Sequence, residues 1–153
     1  MSKNTDSYQA GYEAAKIAVE RAGGGTPDFL FAFASVSFNQ PELVRAIRDG
    51  GGTAALVGCS GAGEITNEGP NQKSVGVMAI RSDGISFYTG LGKDIKSGAR
   101  EAGQAVAREV KAKADKSLRA FIMLPDVMTG NGADIVRGVL DGSPIAGKPI
   151  TAE

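Results

Sequence analysis

The chain of 153 residues has no histidine and no tryptophan, and it has one cysteine. Without imidazole there is no Ser-His-Asp triad, no Cys-His pair and no imidazole-ligated zinc or haem within this chain. One cysteine excludes an internal disulfide and any CxxC metal or redox motif. Net charge is missing as well, because 17 basic residues balance 17 acidic ones. The basic excess that nucleic acid or an anionic membrane surface calls for is therefore absent. The longest apolar runs are strand-sized, too short to span a bilayer. The start, Met-Ser-Lys-Asn-Thr-Asp, lacks the apolar stretch of a secretory signal. The expectation is a cytoplasmic protein with neither membrane nor nucleic acid as partner.

What is present is a globular composition, 42% hydrophobic and 22% charged, at a length suited to one ordinary domain. Glycine numbers 22, about twice the average frequency. That argues against a plain helical bundle and for many tight turns or close backbone approaches.

Along the chain, helical spacing of Tyr8, Tyr12, Ala15, Val19 and Ala22 predicts a helix that Gly23-Gly24-Gly25 stops. Phe29–Val36 reads as a strand buried on both faces. Asn39, with Pro41 and Glu42 behind it, predicts a capped helix whose stripe is Leu43, Val44 and Ile47 and whose end is Gly50-Gly51-Gly52. Ala54–Val57 reads as a short strand entering the loop Gly58–Glu64. Ser74–Ile80 and Ile85–Leu91 read as strands joined at Ser82-Asp83-Gly84. A helix is expected over Ile95–Ala114, a strand over Leu118–Leu124, a helix over Asn131–Leu140 and a last strand at Lys148–Thr151.

The segment ELVRAIRDG (Glu42–Gly50) lines up with DIVRGVLDG (Asp134–Gly142), with Val44/Val136, Arg45/Arg137, Asp49/Asp141 and Gly50/Gly142 identical. At the same offset Asn39 meets Asn131, Phe29 meets Phe121, Ala15 meets Ala107 and Ala22 meets Ala114. The fold class expected is α/β, a mixed sheet with packed helices built from two related helix-strand-helix-strand units, the second incomplete. Arg45 and Arg137 recur at matching positions, which suits surface or packing roles better than two active sites. The alanines of the two long helices read as close packing against a sheet.

Ligands in open α/β sheets sit outside the carboxyl ends of strands. This singles out Cys59, Ser60, Gly61, Gly63 and Glu64 after the second strand, and Asp126, Thr129 and Asn131 after the Leu118–Leu124 segment. The glycines let a backbone approach a ligand and present N–H donors, or they serve only a tight turn. No GK[ST] follows, which disfavours a nucleotide phosphate loop. Cys59 is a nucleophile only if Glu64 or a lysine replaces the missing histidine; otherwise it is a small buried hydrophobe. Asn131 suits a helix cap and Asp126 a turn, roles compatible with touching a ligand.

Gly58-Cys59-Ser60-Gly61-Ala62-Gly63-Glu64-Ile65 and Leu124-Pro125-Asp126-Val127-Met128-Thr129-Gly130-Asn131 resemble the strings GCSTAGEI and LPDGLTGN of the N-terminal part of the FIST sensory domain. The resemblance runs from about Phe29 onward. It departs at Gly61, where a threonine-like residue is usual, and at Val127-Met128, a bulkier pair than usual. It implies a cytoplasmic, non-catalytic sensor of a small molecule, an amino acid or similar metabolite, alone or attached to kinases, cyclic-di-nucleotide enzymes or chemotaxis receptors. Some relatives are haem-based nitric oxide sensors, but the usual haem ligand, histidine, is lacking here, so no cofactor is expected. The family domain continues into a GGAAGD-like loop. Residues 1–153 are therefore expected to be a ligand-binding domain cut short at its C-terminal end.

The function expected is ligand sensing, passed to a separate signalling output protein or a missing C-terminal region. Two rivals stand beside it. One is an assembly module, including a homo-oligomer, that pairs through exposed sheet edges. The other is an enzyme that uses Cys59.

Overall fold

The computed structural model describes residues 1–52, 55–66, 69–126 and 128–143. The chain divides into two compact units, Met1–Phe87 and Tyr88–Glu153. Among the described residues it is an α/β protein with four helices, a mixed three-stranded sheet and a small second sheet.

In the first unit, helix α1 (Ser7–Arg21) starts where the Asp6 carboxylate accepts the Gln9 N–H at 2.8 Å. It stops before Gly23, Gly24 and Gly25, all at positive φ, where L side chains are strained. Strand β1 (Phe29–Ser35) leads to helix α2 (Gln40–Gly51). The Asn39 side chain caps α2 by accepting the Glu42 N–H at 3.3 Å, and left-handed Gly52 closes it. Strand β2 (Leu56–Gly61), the hairpin pair β3 (Glu64–Thr66) and β4 (Gly69–Asn71), and strand β5 (Val75–Ile80) follow. The main sheet has the order β2-β1-β5. Strand β1 is parallel to β2, with Leu30 opposite Leu56, and antiparallel to β5, with Leu30 opposite Ala79.

Period-two alternation in β1 sends Leu30, Ala32 and Ala34 to one face. There they join Ala10, Ala14, Ala15, Leu43, Ile47 and Val75 in the core. The alanines of α1 do pack in the core, while Tyr12 is exposed, and Val44, expected on the buried stripe of α2, is exposed too. Small side chains bring α1 and α2 together: a Cβ on Gly11 would lie 2.8 Å from the Leu43 carbonyl oxygen. One on Gly50 would lie 2.7 Å from that of Tyr12. Strand β1 is less enclosed than expected, since Phe33 on its other face is 39% exposed and Val36, past its end, 67%.

The second unit holds helix α3 (Ala99–Lys113) and helix α4 (Gly132–Gly142). These pack as α1 and α2 do. Gly103 lies against the Ile135 carbonyl, and a Cβ on Gly142 would lie 2.6 Å from the Gln104 oxygen and 2.9 Å from the Ala107 Cβ. Leu43 and Ile135, Tyr12 and Gln104, and Ala15 and Ala107 are pairs at the offset of the sequence repeat. Surface contacts match too. The Tyr8 hydroxyl donates to Asp49 at 3.0 Å, and Arg100 Nε donates to Asp141 at 2.8 Å.

Several elements differ from the sequence reading. Helix α3 starts at Ala99, not Ile95, because the N–H groups of Ser97 and Gly98 turn back to the Asp94 carbonyl, with Asp94 at φ 59. Ile85–Leu91 and Leu118–Leu124 carry no strand. Apolar content alone does not make a strand without a ladder partner, and Ile85, Leu91 and Ile122 stand exposed. The Ser82 hydroxyl accepts the N–H groups of Gly84 and Ile85, so the chain bends at Asp83-Gly84 but the expected hairpin does not form. Lys148–Thr151 lies outside the described residues.

Candidate functional site

The Gly58–Glu64 segment is more strand than loop. Strand β2 runs through Cys59, Ser60 and Gly61, in register with Phe33, Ala34 and Ser35 of parallel β1. Extension follows from Gly58, where a Cβ would run into the Ala32 carbonyl group, with its carbon at 2.9 Å. Only glycine lets the two backbones lie this close. The carboxyl ends of β1 and β2 therefore sit side by side, and the Val36 N–H donates to the Gly61 carbonyl at 3.1 Å just beyond. Among the described residues strand β2 is at the sheet's edge, and Cys59 and Ser60 are exposed. The expectation of a buried Cys59 is thus corrected: an edge strand covered on one side leaves the thiol in solvent.

The remaining glycines of the segment differ in kind. A Cβ on Gly63 would lie 2.9 Å from the Asn71 carbonyl oxygen, so Gly63 is needed at the open end of the hairpin, beside the Glu64–Asn71 pair. A Cβ on Gly61 would meet only Gly63 backbone atoms at 3.8 and 4.0 Å, an ordinary contact. Nothing in the packing requires glycine there.

Glu64, the first residue of β3 and paired with Asn71 across the hairpin, is 5% exposed. Its Oε2 accepts the Ser74 hydroxyl at 2.5 Å and the Ser74 N–H at 3.3 Å. Its Oε1 is buried and has no hydrogen-bond partner among the described residues. This bond ties the hairpin to the start of β5, because Ser74 immediately precedes Val75. Sequence reasoning missed Ser74, which no pattern distinguishes from other serines before a strand.

Asp126, Thr129 and Asn131 belong to the second unit, where they form one exposed turn ahead of α4. The Asp126 carboxylate accepts the Met128 N–H at 3.0 Å, and its carbonyl accepts the Thr129 N–H and hydroxyl at 3.3 and 3.2 Å. The Asn131 side chain caps α4 by accepting the Ala133 N–H at 2.9 Å. Turn and cap roles are therefore in place for Asp126 and Asn131. Val127 lies outside the described residues.

Elsewhere, several shifted ionisations lie on helix surfaces. The bond to Asp49 raises the Tyr8 phenol, while Arg45 sits over the Tyr8 ring at 5.4 Å. Bonds from Arg100 and then Gln104 hold Asp141 below the usual carboxylate range. Arg137 pairs with Asp134 at 3.0 Å. The two repeat arginines are thus surface groups in both copies. Two open hollows, of about 460 and 400 Å³, lie at the start of α2 beside Asn39 and Arg45 and at the start of α3 beside Asp94 and Ser97. Neither is lined by Cys59–Glu64. Among the described residues no group of three or more acidic, cysteine or histidine side chains is placed to hold a metal ion. No described helix is long and apolar enough to cross a membrane.

A family model described as the FIST N domain matches residues 28–148. No curated protein and no solved structure matches the chain.

Proposed function

We propose that this chain, which belongs to the FIST N domain family, a family of sensory, non-catalytic domains in signal transduction, senses a small metabolite at the end of β2 and the adjoining hairpin. The observation that carries this reading is the construction of that end. Exposed Cys59 and Ser60 lead into Gly61, which the packing does not require to be glycine. Such a strand end presents backbone N–H groups and small polar side chains to a ligand. Asp126, Thr129 and Asn131 join the reading as a second polar turn, with their local hydrogen bonds keeping them in fixed positions. A ligand that favours one arrangement of the chain shifts its population, and a separate output protein reads the shift. The ligand class put forward is an amino acid or similar metabolite, in a cytoplasmic setting without cofactor.

Isothermal titration against a metabolite panel, beside thermal shift, tests the reading. Saturable heat with at least one compound, weakened by Ser60→Ala, supports it. A flat panel in both assays refutes it. One observation favours assembly as a second reading: among the described residues β2 is an edge strand, with no charged residue from Leu56 to Gly61, and such edges pair with other chains. Light scattering that finds a strict monomer removes this second reading.

A further inference from the structure

Glu64 is the one buried side chain among the described residues with a polar atom left unpartnered. A buried carboxylate is stable only when it is paired or fully hydrogen-bonded. Ser74 supplies two neutral donors to Oε2. No Lys or Arg among the described residues is recorded in an ion pair with Glu64. What Oε1 lacks is a donor, and a positively charged one compensates the buried charge best.

The surrounding sequence narrows the class. No lysine or arginine occurs between Arg48 and Lys73, so the hairpin and β2 offer no cationic side chain to a carboxylate or phosphate. A metal ion needs several hard oxygen ligands, and the described residues hold no acidic cluster to provide them. An ammonium group needs only hydrogen-bond acceptors.

From these observations we infer that Glu64 is the anchor for the primary ammonium group of a small amine, one with no anionic group beside the nitrogen. This rests on the sensor reading and narrows its ligand class, setting aside the amino acid for a metabolite whose ammonium group has no carboxylate beside it. Ser74 is a positioning residue: it fixes Oε2, so that Oε1 is left for the ligand. Gly63 lies against the Asn71 carbonyl and so brings the two hairpin strands together next to the carboxylate.

Amide chemical-shift titration of the intact chain tests the inference, with ethylamine as probe. Tetramethylammonium, a cation without N–H donors, alanine, which adds a carboxylate, and sodium chloride at matched ionic strength serve as comparisons. Ethylamine is expected to give saturable shifts at Gly63, Glu64, Ser74 and Val75. Glu64→Gln, of equal size, should weaken its binding by about tenfold or more, and alanine and tetramethylammonium should bind more weakly than ethylamine. The amide spectrum of the variant reports directly whether it is folded, and Ser74→Ala, expected to weaken binding too, supplies a second variant. Equal binding by Glu64→Gln overturns the inference, as does an ethylamine response no stronger than that of tetramethylammonium or alanine. A long-lived water at Ser74 with no response to ethylamine overturns it as well, since water then satisfies Oε1. A metabolite from the panel that binds Glu64→Gln as well as wild type defeats this inference and leaves the sensor reading standing.

Discussion

Replacing Gly58 by alanine tests the geometry on which the candidate site depends. The added Cβ would run into the Ala32 carbonyl group, 2.9 Å from its carbon and 3.2 Å from the Ala32 Cα. Ordinary contact begins at 3.4 Å. Every obstructing atom is backbone, so no side chain can rotate away, and β2 must draw back from β1. Overpacking costs about 1–3 kcal/mol, and each ladder hydrogen bond lost adds about 1 kcal/mol. Relief from glycine's unfavourable strand entropy returns less than about 1 kcal/mol. The expected net loss is about 2–4 kcal/mol, a large part of a typical domain's stability of about 5–15 kcal/mol. Gly61→Ala is the control. Its Cβ meets nothing closer than 3.8 Å, so its effect should stay within about 0.5 kcal/mol. Urea unfolding followed by circular dichroism measures both, with amide hydrogen exchange on Leu30–Ala34 reporting the β1–β2 pair. A Gly58→Ala protein within 0.5 kcal/mol of wild type, or a Gly61→Ala protein as damaged as Gly58→Ala, would refute the close approach of the strands.

Further outcomes follow from other parts of the chain. Asn39→Ala and Asn131→Ala should each cost about 1 kcal/mol by removing the acceptor that caps α2 and α4, measured by urea unfolding, with Asn39→Asp nearly neutral. Cys59, exposed on β2, should react with a thiol reagent in the folded protein at nearly the rate of the unfolded chain; protection in the native state would contradict the edge position. The Asp141 carboxyl is held down by Arg100 in the folded state. Its contribution is therefore present above the unfolded-state value and is lost as pH falls through the lower folded one. The effect is small at an exposed pair. Acid titration of stability should show a shallower loss for Asp141→Asn than for wild type.

Helix ends were the most legible part of the sequence. Asn39, Asn131 and the triple glycines act through local chemistry that a single chain segment carries, whereas the alanines of α3, expected against a sheet, pack against helix α4. The two helix pairs match in part: Gly50 and Gly142, and Asp49 and Asp141, make corresponding contacts, but the strand that the repeat predicts between α3 and α4 is absent among the described residues. Strands were less legible, because a strand exists only with its partner. Phe29–Ser35 has β2 and β5 beside it, whereas Leu118–Leu124, equally apolar, has no ladder. The β3–β4 hairpin, three residues a side, is too short to show a period. Of the candidate residues, Cys59 was read from the apolar run before it, and its exposure depends on strand order, which no local pattern records. Glu64 was picked for its motif, but its burial and its bond to Ser74, ten residues on, come from tertiary folding.

The account turns on whether the end of β2 and its hairpin receive a small molecule. Amide shift mapping of the intact chain during titration with the metabolite panel reads this residue by residue. The account predicts that a binding compound gives saturable shifts concentrated on Leu56–Thr66 and Ser74. It is contradicted if no compound gives saturable shifts, or if the shifts gather instead at the hollows beside Asn39 and Asp94.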